Sequence, residues 1–458
     1  MHTQPQLELS TSGRMLILTT AFLGWMCAGF HLSITSVARP HAVKDLLDRA
    51  GVIDRLQYDS MLKAAGPRKD LSASSIPRED QPKFLSWKSA LARWFAWTQC
   101  AMLFGAALGG WFFGTIGDRF GRTKGMGLSI LTYSIMSGVT SFANSPLTLL
   151  IYWFMACTGV GGMWPNGVAL VAEAWSTLSR PVASGVIGTA ANIGIYILSS
   201  IAIWNRPDAT NWHWMMIFGA MPVVLAIFSL LVVPESPRWI LARNSVTGQD
   251  SDSARINIFR PPLLTITLIG IALATVPING GWGSANWMVP WAGEAVIASD
   301  NPDNPLGEKV NQTRALTGIV GSFLGGWIAS TLGRKQTYLL ASVGALVSSQ
   351  WTFWFIYPTD ASFLWWVAAL GMFNGIYFGW MPYCLPELFP TRARSAGAGV
   401  SFNFGRILTA ITVFTTGTLT QVFAGDYARI GRVTSVIFLV GIFLIYFMPN
   451  KSSRELTD

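Results

Sequence analysis

Arg406 lies about a dozen residues into the apolar run 395–420, which is long enough to cross a bilayer as a helix. With the spans set out below, it is the only Lys or Arg inside a hydrocarbon core. No Asp or Glu lies at comparable depth, since Glu173, Glu294 and Glu387 fall at helix ends. A cation at that level costs about 2.5–3.5 kcal/mol even on the lenient insertion scale, so it needs a partner. An incoming anionic solute could be that partner, and a planar guanidinium suits a carboxylate held through two hydrogen bonds. The competing reading has Arg406 bonded to backbone carbonyls of a broken neighbouring helix, bracing it. The first reading implies binding of a small organic anion, an acidic sugar or another carboxylate.

Further polar and aromatic residues sit at mid-run: Asn403, Asn166, Asn192, Asn279, Asn286, Asn374, Tyr377 and Trp380. Amides beside flat apolar faces are what a sugar-like ligand needs. Taken singly, each asparagine is better explained as a link between helices, at about 0.6 kcal/mol. His31, past the middle of the first apolar run, either titrates near neutral pH and carries a coupling proton or stays neutral between helices. The loop charges Asp118, Arg119 and Arg122, with Glu173 and Arg180, read as a latch on the inside face. Arg334, Glu387 and Arg394 form a second, reduced set. A carboxylate such as Asp118 can favour a helix N-terminus across an interface between halves. No phosphate-binding loop of the GxxxxGK[ST] type occurs, nor HExxH, nor GxSxG. The chain therefore reads as no enzyme, without metal or cofactor, and draws its energy from an ion or solute gradient.

The elements that must position these residues are membrane helices. Of 458 residues, 51% are hydrophobic and 12% charged, about half the charged fraction of a soluble domain. The apolar residues fall into runs at 14–38, 93–116, 124–142, 147–172, 182–204 and 212–233, then 262–290, 312–331, 336–356, 361–385, 395–420 and 430–448. A barrel would show short alternating segments instead. The fold class is an all-α membrane protein of twelve transmembrane helices in two six-helix bundles, 14–233 and 262–449. A long outside loop spans 39–92, an inside linker spans 234–261, and the tails are 1–13 and 450–458. Within the loop, Val43 to Ala64 shows helical spacing of apolar residues and predicts one amphipathic helix.

Lys and Arg are concentrated in the short segments that face inside if both termini are cytoplasmic. The net charge of +9 is thus an orientation signal toward anionic lipid of the plasma (inner) membrane. It is not a nucleic-acid footprint, for which a soluble basic face with interleaved aromatics is missing. Cys27, Cys100, Cys157 and Cys384 all fall in or beside predicted helices, without metal-ligand spacing.

Two pairs of segments repeat between the halves. Gly114-Thr-Ile-Gly-Asp118-Arg119-Phe-Gly121-Arg122 matches Gly326-Trp-Ile-Ala-Ser-Thr-Leu-Gly333-Arg334, and the segment from Glu173 to Gly185 matches that from Glu387 to Gly399. Repeats of this kind mark a tandem duplication and a two-domain transporter.

The Gly114–Arg122 segment resembles the signature of the major facilitator superfamily between helices two and three. Pro234-Glu-Ser-Pro-Arg-Trp239, Gly159–Gly167 leading into Glu173, and Pro386-Glu-Leu-Phe-Pro-Thr-Arg-Ala-Arg394 are similar to the sugar-porter and sialate:proton symporter branch. The resemblance implies a secondary transporter with alternating access. Its small-molecule substrate would be anionic and moved with protons, or a neutral sugar or metabolite passing uncoupled. A non-transporting sensor on the same scaffold is the remaining reading. A monomer is expected. The family's acids in helix one are replaced here by Ala28 and His31, which bears on proton coupling.

Overall fold

The computed structural model describes residues 9–66, 75–174, 180–237, 239–240, 257–299, 301, 303–389, 394–418 and 422–449. The first half contains α1 (Thr11–Arg49), α2 (Arg55–Ala65), α3 (Gln81–Phe120), α4 (Arg122–Thr140), α5 (Pro146–Ala174), α6 (Arg180–Trp204), α7 (His213–Phe218) and α8 (Val223–Val232). The second contains α9 (Leu263–Ile278), α10 (Met288–Ala298), α11 (Leu306–Thr331), α12 (Arg334–Phe355), α13 (Phe363–Cys384), α14 (Arg394–Thr418), α15 (Tyr427–Thr434) and α16 (Ile437–Leu444). Three rods are interrupted: α7–α8, α9–α10 and α15–α16. With each counted as one crossing and short α2 set aside, the described helices form six rods in each half. The ends of the bundle differ. Gly121 and Gly333 mark a loop face, and residues 39–92 mark a cap face.

The seventh rod departs from the uninterrupted span expected at 262–290. Pro277 and the glycine-rich run Asn279-Gly-Gly-Trp-Gly-Ser284 turn it into a π-helical segment followed by the 3-10 turn Ala285–Trp287, after which α10 runs to Ala298. Such a break frees carbonyls that must find partners within the protein.

The cap face also departs from expectation, because 39–92 is mostly helix rather than loop. Helix α1 continues to Arg49 and stops where Gly51 takes φ +69°, a left-handed conformation suited to glycine just past a helix end. Asp54 then starts α2 by accepting from the Gln57 amide at 2.9 Å. The single helix predicted over Val43–Ala64 is therefore two. Val43, Leu46, Leu47 and Ile53 are buried, whereas Leu56, on the predicted apolar face, is 75% exposed. Lys44 and Asp59 tie α1 to α2, and the Trp212 indole donates to Asp45 at 3.1 Å.

Within each half, glycines let helices pack backbone to backbone. A Cβ on Gly109 of α3 would stand 1.8 Å from the Thr158 carbonyl oxygen of α5, and one on Gly161 of α5 would stand 1.9 Å from that of Ala106. The second half repeats this seam between α11 and α13, where Cβ atoms on Gly321 and Gly375 would meet the carbonyls of Met372 and Gly318 at 2.2 and 2.5 Å. The two halves meet along α6–α11 and α3–α14. Gly110 faces Asn403 across the second of these, while Gly114, one turn further on, has nothing within 4 Å.

This seam gives a direct test. Gly109→Ala should force α3 from α5 and destabilise the detergent-solubilised protein by about 1–3 kcal/mol, read as a lowered thermal midpoint. Gly114→Ala should leave the midpoint unchanged.

Candidate functional site

A cavity of about 400 Å3 lies between the halves. Arg406 and Asn403 reach it from α14, Arg314 and Asn311 from α11, Asn374 from α13, Asn192 from α6, and Asn286 from the 3-10 turn. Trp25, Trp164, Trp282, Phe378 and Phe402 supply flat apolar walls, and no carboxylate is among the described lining residues. The Arg406 Nη1 donates at 3.4 Å to both the Ala106 carbonyl and the Asn403 side chain, and its guanidinium lies 4.5 Å from the Phe402 ring centre. These are long, neutral contacts for a residue only 8% exposed. Asn374, 7% exposed, has neither amide atom partnered. Unpaired buried amide groups of this kind call for a ligand or water.

Arg406 is not the sole core cation. The span expected at 312–331 has Arg314 near its start, but α11 starts at Leu306, which puts Arg314 about two turns inside the helix. It holds the broken seventh rod, donating to the Gly281 carbonyl at 3.2 Å and the Ala285 carbonyl at 3.3 Å. Bracing by a guanidinium, considered for Arg406, is thus a role Arg314 fills while also facing the cavity. Arg39, just past the first predicted span, is fully buried as well.

Several predicted ligands sit elsewhere. The Asn166 amide donates to Phe113 and Gly162 carbonyls, both at 2.9 Å, wedged against Gly117 and Gly125. Asn279 donates to Thr412 at 2.6 Å, fastening the π-helical segment to α14. Tyr377 shares a 2.6 Å hydrogen bond with Ser342 and packs on Tyr338, and Trp380 donates to the Arg334 carbonyl at 2.8 Å. All four act as links between or within helices. His31 is also outside the cavity lining. Its ring nitrogens lie 3.0 Å from the Cys27 carbonyl and 3.2 Å from that of Tyr133, between α1 and α4.

At the loop face the repeat appears as matching geometry. Gly121 (φ +121°) and Gly333 (φ +99°) each precede a helix-starting arginine. Arg122 pairs with Glu173 at 3.5 Å and Arg334 with Glu387 at 2.6 Å. Among the described residues, these pairs join groups within one half rather than across the halves. The first half adds Asp118, bound to Arg122, and docks the linker. Glu235 accepts from the Thr123 amide at 3.2 Å, Ser236 donates to Glu173, and the Trp239 indole donates to the Asp118 carbonyl at 2.8 Å. Burial pushes the Glu235 carboxyl above the usual carboxylate range. Arg119 lies over Phe120. The side chains of Arg180 and Arg394 lie outside the described residues.

At the cap face, contacts do cross the halves. Glu294 of α10 takes the Tyr58 hydroxyl at 2.8 Å and lies 3.6 Å from Lys88, and Glu308 of α11 lies 3.5 Å from Arg206. Deeper in, Asn311 donates to Ser199 at 2.9 Å, and Asn286 donates to Gln99 and accepts from Ser36. The cavity reaches the other way, with Ala169, Pro386 and Gly399 lining it toward the loop face.

Two six-rod bundles of membrane helices around a shared cavity, largely apolar with two arginines and several amides, define a multi-pass membrane transporter. The Major Facilitator Superfamily model matches residues 85–413, more than half of the chain, and the chain belongs to that superfamily. It is a transporter and not an enzyme. A cis,cis-muconate transport protein of Acinetobacter baylyi is 28% identical over 361 residues, 76% of this chain and 84% of the relative. A sialic acid transporter of Escherichia coli is 23% identical over 65% of this chain and 71% of its own length. The fold is similar to that of the Escherichia coli xylose transporter in a partially occluded inward-open form. The TM-score is 0.66 at 14% identity, over 95% of this chain and all of that one.

The cap-face bridges predict a shift between states. Glu294→Gln should weaken the ties to Lys88 and Tyr58 and favour opening at that face. A cysteine placed at Ser36 should then react with a thiol reagent added from the cap side about fivefold faster, the change produced by about 1 kcal/mol. An unchanged rate would mean these bridges do not hold the face closed.

Proposed function

We propose that this transporter moves a small organic anion, a carboxylate, by alternating access of the cavity to the two faces. The observation that carries the proposal is the charge of the cavity: Arg406 and Arg314 line it, and no described lining residue offsets them. Arginine within a membrane is costly without a counter-charge, and a carboxylate supplies one through charge-assisted hydrogen bonds. Asn374, with both amide atoms open, and the tryptophan walls would orient the remainder of the solute. The names of the muconate and sialic acid relatives favour an acid over a neutral sugar. The lysine and arginine distribution supports cytoplasmic termini in the plasma (inner) membrane, which makes the loop face cytoplasmic and the form described here inward-facing.

Uptake of cis,cis-muconate, sialic acid and xylose by proteoliposomes, with and without a pH gradient, tests this reading. One of the acids should be taken up in preference to xylose. Arg406→Ala should abolish that uptake while the protein remains folded. Arg406→Lys, which keeps the charge and loses the planar fork, should weaken binding about ten- to a hundredfold. Full acid transport by the alanine variant would remove Arg406 from the binding role, and preference for xylose over both acids in the unaltered chain would return it to neutral-solute facilitation.

His31 is assigned to bracing α1 against α4 rather than to the coupling proton, because its ring nitrogens face carbonyls and not the cavity. His31→Gln should lower the thermal midpoint and leave the pH profile of uptake where it was. A displaced profile would restore the coupling role.

A further inference from the structure

Between the cavity and the cap face lies a group of hydrogen-bond donors without acceptors. Arg39, on α1, is fully buried, and Gln99, on α3, is 1% exposed. The Arg39 Nη2 donates to the Thr35 carbonyl and, at 3.0 Å, to the Gln99 Oε1. Its Nε and Nη1 have no partner, and neither does the Gln99 Nε2. The orientation of the Gln99 amide is fixed by chemistry, since a guanidinium cannot accept and the atom facing it must be the oxygen. That oxygen also accepts from the Asn286 Nδ2 at 3.0 Å. The nitrogen of Gln99 is therefore a true donor left open.

What is open here is donor-only and carries a full positive charge. The described contacts of Arg39 include no carboxylate; the nearest stacking group is the Phe95 ring, 5.9 Å away. A water could satisfy one N–H but would leave the charge unmatched, and an uncompensated buried charge is expensive. The ligand that fits three donors and one cation is an anion.

Its place in the fold relates this group to transport. The next links run from Gln99 to Asn286 and from Asn286 to Arg314, whose Nη1 lies 3.4 Å from the Asn286 Oδ1. Asn286 and Arg314 line the central cavity. On the other side, Val37, Pro40 and Phe95, around Arg39, line a smaller cavity of about 130 Å3 toward the cap. The Gln99–Asn286 and Ser36–Asn286 bonds both join the first half to the second. Opening the cap face must break them, which leaves Arg39 and Gln99 on the first half, facing the space that appears.

We propose that Arg39 and Gln99 form a second anion-binding position on the transport path. It is engaged when the chain opens toward the cap face, and it hands the solute across Asn286 to Arg314 and Arg406. The proposal rests on the reading of the central cavity as an anion site.

The test uses the full chain in proteoliposomes, with whichever of cis,cis-muconate and sialic acid the unaltered protein takes up better, and measures half-saturation separately from each face. Gln99→Glu is the decisive variant, because it gives Arg39 an internal carboxylate and so fills the position while holding the fold together. Gln99→Glu and Arg39→Gln should each raise half-saturation from the cap face by about tenfold or more, and from the loop face by less than about twofold. The thermal midpoint of Gln99→Glu should be kept or raised. If both variants stay near the unaltered values at both faces, or if both faces weaken alike with a lowered midpoint, Arg39 only braces α1 and the proposal is overturned. The cavity reading would survive that result. If the unaltered chain takes up neither acid, the cavity reading fails and this proposal fails with it.

Discussion

A guanidinium withdrawn from water keeps its charge and must be matched by something nearby. Three such groups, Arg39, Arg314 and Arg406, lie at or beside the surface where the two halves meet, and the contacts found around them are carbonyls, amides and aromatic faces. Carbonyl dipoles reduce the cost of each cation without cancelling it. Much of the surrounding architecture follows from that residual demand. The seventh rod breaks where Arg314 can collect its freed carbonyls, α3 and α14 approach closely enough for Arg406 to reach Ala106, and the amides of the cavity wall stand beside charge rather than lipid.

The carboxylates are placed elsewhere. Glu173 and Glu387 fasten the loop face within each half, while Glu294 and Glu308 fasten the cap face between halves. The duplication is visible in the first pair, with the same glycine backbone, the same following arginine and the same glutamate in both halves. It is broken by the linker, whose Glu235, Ser236 and Trp239 attach to the first half.

The membrane class, the six-and-six division and the two glycine-arginine turns were legible in the sequence because each rests on a local signal: run length, charge and spacing. Arg406, Asn192, Asn286, Asn374 and Asn403, polar residues deep in apolar runs, do line the cavity. Which asparagines face the cavity was not legible, since rotation about the helix axis is set by packing. Asn166 points between Gly117 and Gly125 only because those glycines leave it room. The depth of Arg314 is not legible, because the run Asn311-Gln-Thr-Arg314 reads as a helix end and only the early start of α11 buries it. The helical cap was lost to a rule that ends a membrane helix where polarity returns, although α1 simply continues past it.

The paired glycine seams have a mechanical consequence. Where α3 meets α5 and α11 meets α13, carbonyl oxygens stand where side chains would otherwise be, so neither pair holds compressible material along its line of contact. Each half is stiff along that line. Compliance is left to the contacts of α6 with α11 and α3 with α14, and those two lines can serve as the axle on which one stiff wedge rocks against the other.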